Sequence, residues 1–298
     1  MVKDAKGNEV QGLEQGPFEP IAVIGVSALM PDAPDIDSFW QNILDSKVSI
    51  RQIPEHRWIG PVDHFFRDGG PGNIEEGYTY ARIGAVVEGY EFDWRRWKQP
   101  PGTLSQIDLA QQWAVSVAAA AIEHAGYDGE HKDIDRLRTG VAFANALGGE
   151  NRNLSNIRIY SNHTKELAKS FGMPTANGDA FVDAINTGAP RVNEDTMPGE
   201  LANVVAGRVS NLLDLQGPNF AMDAACASSL ATLMDACRLL QMRQVDVMIA
   251  GATDRSMDAP TFAKFSAIGA LSPTHSTPFD AGANGFVMGE GAGAFVLK

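Results

Sequence analysis

The sequence predicts an α/β fold with a sheet that is largely parallel or mixed. Two observations carry that expectation. Short apolar runs, such as "IAVIGV" at residues 21–26 and "VDVMIAGATD" at 245–254, have the length and β-branched content of buried strands. They alternate with longer segments of helical period, such as "SQIDLAQQWAVSVAAAAIEHAG" at 105–126. Alternation of this kind marks α/β architecture.

Residues 1–17 lack the apolar centre of a signal peptide and are expected to form a mobile tail, with one domain over 18–298. The first strand is broken by Pro31, Asp32 and Pro34. Asp37 is then placed to cap a helix carrying Phe39, Trp40, Ile43 and Leu44 on one side. Residues 54–105 are rich in glycine, proline and aromatics without a sustained period, which predicts a long surface excursion over a site or a partner. The alanine-rich helix after it ends at Gly126 and offers a small-residue face for close packing in a central layer. "TGVAFANALGG" at 139–149 reads as a strand running into a glycine loop. Residues 150–200 form a polar, mostly helical insertion with breaks expected at Pro174, Gly178 and Pro190. Then come a helix ("ELANVVAGRVSNLLDLQG"), a strand ("PNFAMDA"), a cysteine, a helix ("SSLATLMDACRLLQMRQ"), a strand, and the glycine-rich close "TPFDAGANGFVMGEGAGAFVLK".

Composition excludes several classes. With 44% hydrophobic and 20% charged residues, the chain is that of a soluble globular protein rather than a disordered one. A net charge of -13 argues against a sequence-independent grip on nucleic acid, although Arg95, Arg96 and Lys98 make a local basic patch. No stretch approaches the length of a membrane span. The two cysteines, Cys226 and Cys237, stand eleven residues apart on what reads as one helix. That spacing is roughly 16 Å, beyond disulfide reach. A cytoplasmic location is expected, and the sequons at Asn153 and Asn162 are read as chance.

The two cysteines read differently. Leu230, Leu233, Met234, Cys237 and Leu240 recur at helical spacing as one apolar stripe, which assigns Cys237 to the core. Cys226 lies before that stripe, at the expected helix start, where free N–H groups and the helix dipole favour a thiolate. Its neighbours Ala224, Ala225, Ala227, Ser228 and Ser229 are all small, as a nucleophile on a tight strand-to-helix turn requires. The residues alone leave two readings open, a nucleophile and a packed free thiol.

The surrounding motifs narrow the choice. "GPNFAMDAACASSL", "VDVMIAGATD" and "PFDAGANGFVMGEGAGAFVLK", in that order, resemble the β-ketoacyl synthase family. "IAVIGVSALMPDAPDIDSFWQNI" and "IPEHRW" look like that family's opening segments, and "IDLAQQWAVSVAAAAIEHAG" is similar to its central helix. The resemblance runs from about Pro20 to Lys298, and its style looks like the ketosynthases of large iterative synthases, including polyunsaturated-fatty-acid and polyketide types. It implies a thiolase-like layered fold (α-β-α-β-α), with the first half essentially complete and the second missing.

For function, the resemblance implies that Cys226 takes an acyl chain from a phosphopantetheine thioester. A malonyl-type unit on an acyl carrier protein is then decarboxylated, and its carbanion attacks the acyl-enzyme. It further implies a homodimer, neighbouring domains of a multidomain synthase, acyl and malonyl thioesters as substrates, and no cofactor bound by the domain itself. The family pairs its cysteine with two histidines beyond the glycine-rich segment. None of His56, His64, His124, His131, His163 or His275 stands in such a motif. His275 is the nearest candidate for a substitute base, though a surface loop histidine is the preferred reading. The expectation is therefore an N-terminal portion of a ketosynthase that does not condense by itself, with "GAFVLK" as an aggregation-prone hydrophobic edge.

Other motifs are read conservatively. "GEGAG" lacks the Gly-Lys-Ser/Thr of a phosphate loop. Glu290 is taken as a solvated end residue in preference to a buried ion-pair partner. Asp254 and Asp258 share helical spacing, but without a third ligand no metal site is expected. Thr277 and Ala283 stand where many relatives carry arginine. A non-catalytic ketosynthase-like dimer partner would be expected to lack Cys226. A thiolase or hydrolase using the same cysteine would act without a carrier protein.

Overall fold

In the computed structural model, residues 19–127, 134–172 and 175–298 are described. The expected tail and Pro174 lie outside them. Strand β1 (Val23–Leu29) leads to helix α1 (Ile36–Leu44), and the short strands β2 (Arg51–Gln52) and β3 (Ile83–Ala85) flank the next excursion. Helices α2 (Pro101–Leu104) and α3 (Leu109–His124) precede β4 (Thr139–Ala144). Four helices follow: α4 (Asn151–Ser170), α5 (Thr175–Asn186), α6 (Thr196–Glu200) and α7 (Val204–Leu212). The chain then runs through β5 (Asn219–Met222), α8 (Ser228–Gln241), β6 (Val247–Asp254), α9 (Ala259–Ala267), β7 (Met288–Gly289) and β8 (Gly291–Leu297).

The main sheet has the order β1-β8-β6-β4-β5, with β4 parallel to β5 and β6 and with β8 antiparallel to β1 and β6. The mixed α/β architecture is as expected. Strand alternation divides the core between the two faces. Val141, Phe143 and Ile249 pack with Trp113, Val117 and Val205 on the α3 and α7 side. Ala142, Met248 and Ala250 pack with Ala236 and Leu240 of α8 on the other. Helix α3 is buried on nearly all sides, Trp113, Ala114 and Val115 being fully inaccessible. Its small residues let β1 approach closely: a Cβ on Gly25 would lie 2.2 Å from the Ala121 carbonyl oxygen.

Several expectations are corrected. The cap of α1 is Asp35, whose carboxylate accepts the Ser38 N–H at 2.7 Å, and Asp37 falls inside the first turn. Trp40, Ile43 and Leu44 are exposed, so α1 does not bury the stripe its period suggests. Residues 54–105 are not merely a surface excursion. Trp58, Val62, Tyr80 and Val86 form a second core with Met257 and Phe262, beside the small sheet β2-β3-β7. Partners such as Trp58 Nε1, which donates to the Met257 carbonyl at 2.7 Å across 199 positions, leave no periodic trace in the sequence.

Gly178 lies inside α5 and does not break it, while Pro190 falls between helices as expected. The strand of "GAFVLK" is not an edge: β8 is paired on both sides, and β1 and β5 are the edges. Asp254 ends β6 and Asp258 caps α9 through the Thr261 N–H at 3.0 Å, so they share no helix face. On α8 the buried line is Ser228, Thr232, Ala236 and Leu240, whereas Leu230 and Met234 are exposed. The small residues face the sheet because they let the helix approach it closely.

Candidate active site

The parallel strands β4, β5 and β6 end side by side, and β8 begins at the same end. Crevices outside the carboxyl ends of strands are the usual ligand sites of open α/β sheets. Here that end borders a groove of about 550 Å³ lined in part by Phe39, Asn145, Cys226, Ser228, Leu230 and Leu233. The outward-facing part of the α8 stripe is thus a wall of the groove.

Cys226 lies in a single 3-10 turn, Ala225–Ala227, between β5 and α8, and its side chain is exposed. It therefore sits just ahead of α8, which starts at Ser228, and not within it. The preceding residue, Ala225, has φ of 51°, in the left-handed region that non-glycine residues rarely occupy. A sharp, strained strand-to-helix turn that presents its side chain is the geometry of a nucleophile elbow. Cys237 is half-buried against Ala236 and Leu240, and burial pushes its thiol up. The two cysteines therefore have different environments, one open to the groove and one packed.

The same end of the sheet holds a buried ionic chain that no local sequence pattern announces. Glu290 is buried, not solvated, and both its oxygens accept from the Arg57 guanidinium at 2.7 Å. Arg57 also reaches Glu150 at 3.1 Å, Arg255 reaches Glu150 at 3.0 Å, and Arg255 lies 3.5 Å from Asp108. Backbone N–H groups complete the set: Val87 donates to Glu290, Met257 to Glu150, and Ala110 and Asn151 to Asp108. Burial pushes the Glu150 carboxyl up to about 7, against the pull of Arg255 and Arg57. Burial likewise raises Asp108. For Arg57, burial opposes the charge, but Glu290 and Glu150 outweigh it and hold the guanidinium ionised. The chain fastens residues 55–57 to the start of α3, the turn into α4, the loop after β6 and the start of β8. Glu290 and Asp254 also line the groove. The sequence offered Glu290 as either a solvated end residue or an ion-pair partner, and no local pattern pairs it with an arginine 233 positions away.

His275 sits on an exposed loop, with Nδ1 2.7 Å from the Thr274 hydroxyl. His124 Nδ1 accepts the Val26 N–H at 3.4 Å on the outer edge of β1. Among the described residues no histidine lines the groove, and no cluster of potential metal ligands is present.

Fold and elbow together define a layered α/β protein with a cysteine presented at the carboxyl end of its sheet. The chain belongs to the β-ketoacyl synthase family, whose N-terminal domain it matches over residues 18–298. It is 30% identical over 283 residues to a phenolphthiocerol/phthiocerol polyketide synthase from Mycobacterium tuberculosis, a match that covers 94% of this chain and 16% of that protein. Among solved structures, the oxazolomycin ketosynthase domain from Streptomyces albus JA3453 superposes with a TM-score of 0.73 at 24% identity, covering 94% of this chain and 43% of that one. A ketosynthase from module 6 of the bacillaene synthase of Bacillus subtilis 168 gives 0.69 at 24%, covering 94% and 40%. The fold is thus the thiolase-like α/β fold of ketosynthases, and this chain spans less than half of each of these relatives. No helix among the described residues is long and apolar enough to cross a membrane.

Proposed function

We propose that Cys226 is the acyl-accepting nucleophile of a β-ketoacyl synthase domain within a polyketide-type synthase. The observation that carries this is the left-handed Ala225 immediately before an exposed Cys226 that opens on an apolar groove. The Cys226 thiolate attacks the carbonyl carbon of an acyl thioester held on the phosphopantetheine of an acyl carrier protein. A new C–S bond forms, the old one breaks, and the carrier thiolate takes up the proton that Cys226 lost. Loss of carbon dioxide from a carrier-bound malonyl unit then provides a carbanion, which forms the C–C bond and releases Cys226. Leu230, Leu233 and Phe39 give the groove walls suited to an acyl chain. The domain needs no cofactor of its own for this chemistry.

The reading extends to assembly and place. Neither α3 nor residues 54–105 supply a dimer surface through their large apolar side chains, since Trp113, Ala114 and Trp58 are buried within the chain itself. The support lies instead in β5, which among the described residues is an edge strand paired on one side by β4, leaving its other side to a second copy. Two free cysteines fit a cytoplasmic synthase.

A thiolase or hydrolase would use the same cysteine on free coenzyme A esters. Offering one acyl group on a carrier protein and on coenzyme A separates the readings. The proposed function predicts acylation at least tenfold faster from the carrier. Equal rates, or steady release of free acid, would contradict it.

A further inference from the structure

The turn that presents Cys226 is held by a side chain two residues beyond it. Ser228 is 6% exposed, and its hydroxyl donates to the Ala225 carbonyl at 2.6 Å while accepting the Ala224 N–H at 2.8 Å. Asp223 accepts the Ala225 N–H at 2.9 Å. The peptides on both sides of Ala225 are therefore tied down, and Ala225 is the residue at φ of 51°. A left-handed alanine reverts to an ordinary conformation unless its surroundings over-determine it. The next residue along is Cys226, so any reversion swings the thiol away from the groove. We propose that Ser228 is a positioning residue: its hydroxyl locks Ala225 in the left-handed conformation and thereby aims Cys226 into the groove.

Two alternatives for Ser228 are weaker. As a helix cap it would accept an N–H from within the first turn of α8, but its oxygen serves Ala224 and Ala225, upstream of the helix. As mere core filling it would need no hydroxyl, yet both hydrogen-bonding roles of that hydroxyl are used. The inference rests on Cys226 being the nucleophile, and the experiment separates the two claims.

The test compares the protein with its Ser228→Ala and Ser228→Ala/Ala225→Gly variants. Acylation of Cys226 by an acyl thioester is followed by mass spectrometry across thioester concentrations, alongside thermal unfolding. Alkylation by iodoacetamide reads the same thiol without acyl chemistry. Ser228→Ala should slow acylation at saturating thioester by about ten- to a hundredfold, the usual effect of small misplacement, with the half-saturating concentration unchanged. Glycine adopts a positive φ freely, so the double variant should recover most of the rate. If Ser228→Ala fails to fold, a folded double variant at near-native rate still supports the lock. A native rate in Ser228→Ala overturns it, as does a folded double variant that stays slow. Acylation at a residue other than Cys226 in the unmodified protein removes the underlying reading instead.

Discussion

Arg57 and Glu290, 233 positions apart, meet in a bidentate pair with both N···O distances at 2.7 Å, and the Glu290 side chain is fully inaccessible. This pair fastens the irregular segment after β2 to the first residue before β8. It is a buried charge pair, so its two partners depend on each other: removing one strands the other in a low-dielectric site. Arg57→Ala should destabilise the fold by about 3–5 kcal/mol. Denaturant unfolding measures this. A loss below about 1 kcal/mol would show that water or a neighbour takes over the charge of Glu290.

Glu150 gives the ionic chain a pH dependence. Its carboxyl is raised by burial from the ordinary 4.5 to about 7. The folded protein therefore binds this proton more tightly than the unfolded chain. The resulting stability is fully present below about pH 4.5 and is lost as pH rises through 7. A shift of this size corresponds to about 3 kcal/mol. The stability of the native protein relative to Glu150→Gln should fall across that window. Unfolding curves at pH 4.5, 6 and 7.5 check it, and a constant difference between the two proteins would contradict it.

The approach of β1 to α3 is closed to any side chain at residue 25. A Cβ there would lie 2.2 Å from the Ala121 oxygen and 2.9 Å from Ala125 Cβ. The Ala121 carbonyl is backbone inside α3 and cannot yield cheaply, so Gly25→Ala should cost about 3 kcal/mol, read as a lowered unfolding midpoint. A neutral substitution would mean that the helix slides along the sheet.

What the sequence made legible follows from what each signal reports. Strands β1, β4 and β6 are short continuous apolar runs, and buried strands leave that signature. The turn that carries Cys226 between strand and helix was legible because its small neighbours stand together. The left-handed Ala225 was not, since alanine carries no mark of unusual backbone. The exposed side of α8 was misjudged because period gives the apolar stripe but not the face that meets the sheet, where Thr232 and Ala236 lie. Trp58, Arg57, Glu150 and Glu290 were illegible because their partners are brought together by folding from distant segments. The position of β8 inside the sheet was likewise a matter of topology, which strand pattern alone does not contain.

The open side of β5 makes assembly measurable. Sedimentation at micromolar concentration should give a dimer, and Ala221→Pro should reduce it to a monomer if that edge is the contact. A monomer in the unmodified protein that still acylates Cys226 would contradict the proposed assembly.

The central claim is that Cys226, and not Cys237, carries the acyl group. Incubation with a labelled acyl thioester on a carrier protein, followed by peptide mapping by mass spectrometry, tests it most directly. The account predicts a thioester adduct on the peptide containing Cys226 and its complete absence in Cys226→Ala. Label on Cys237, or label that persists in Cys226→Ala, would contradict it.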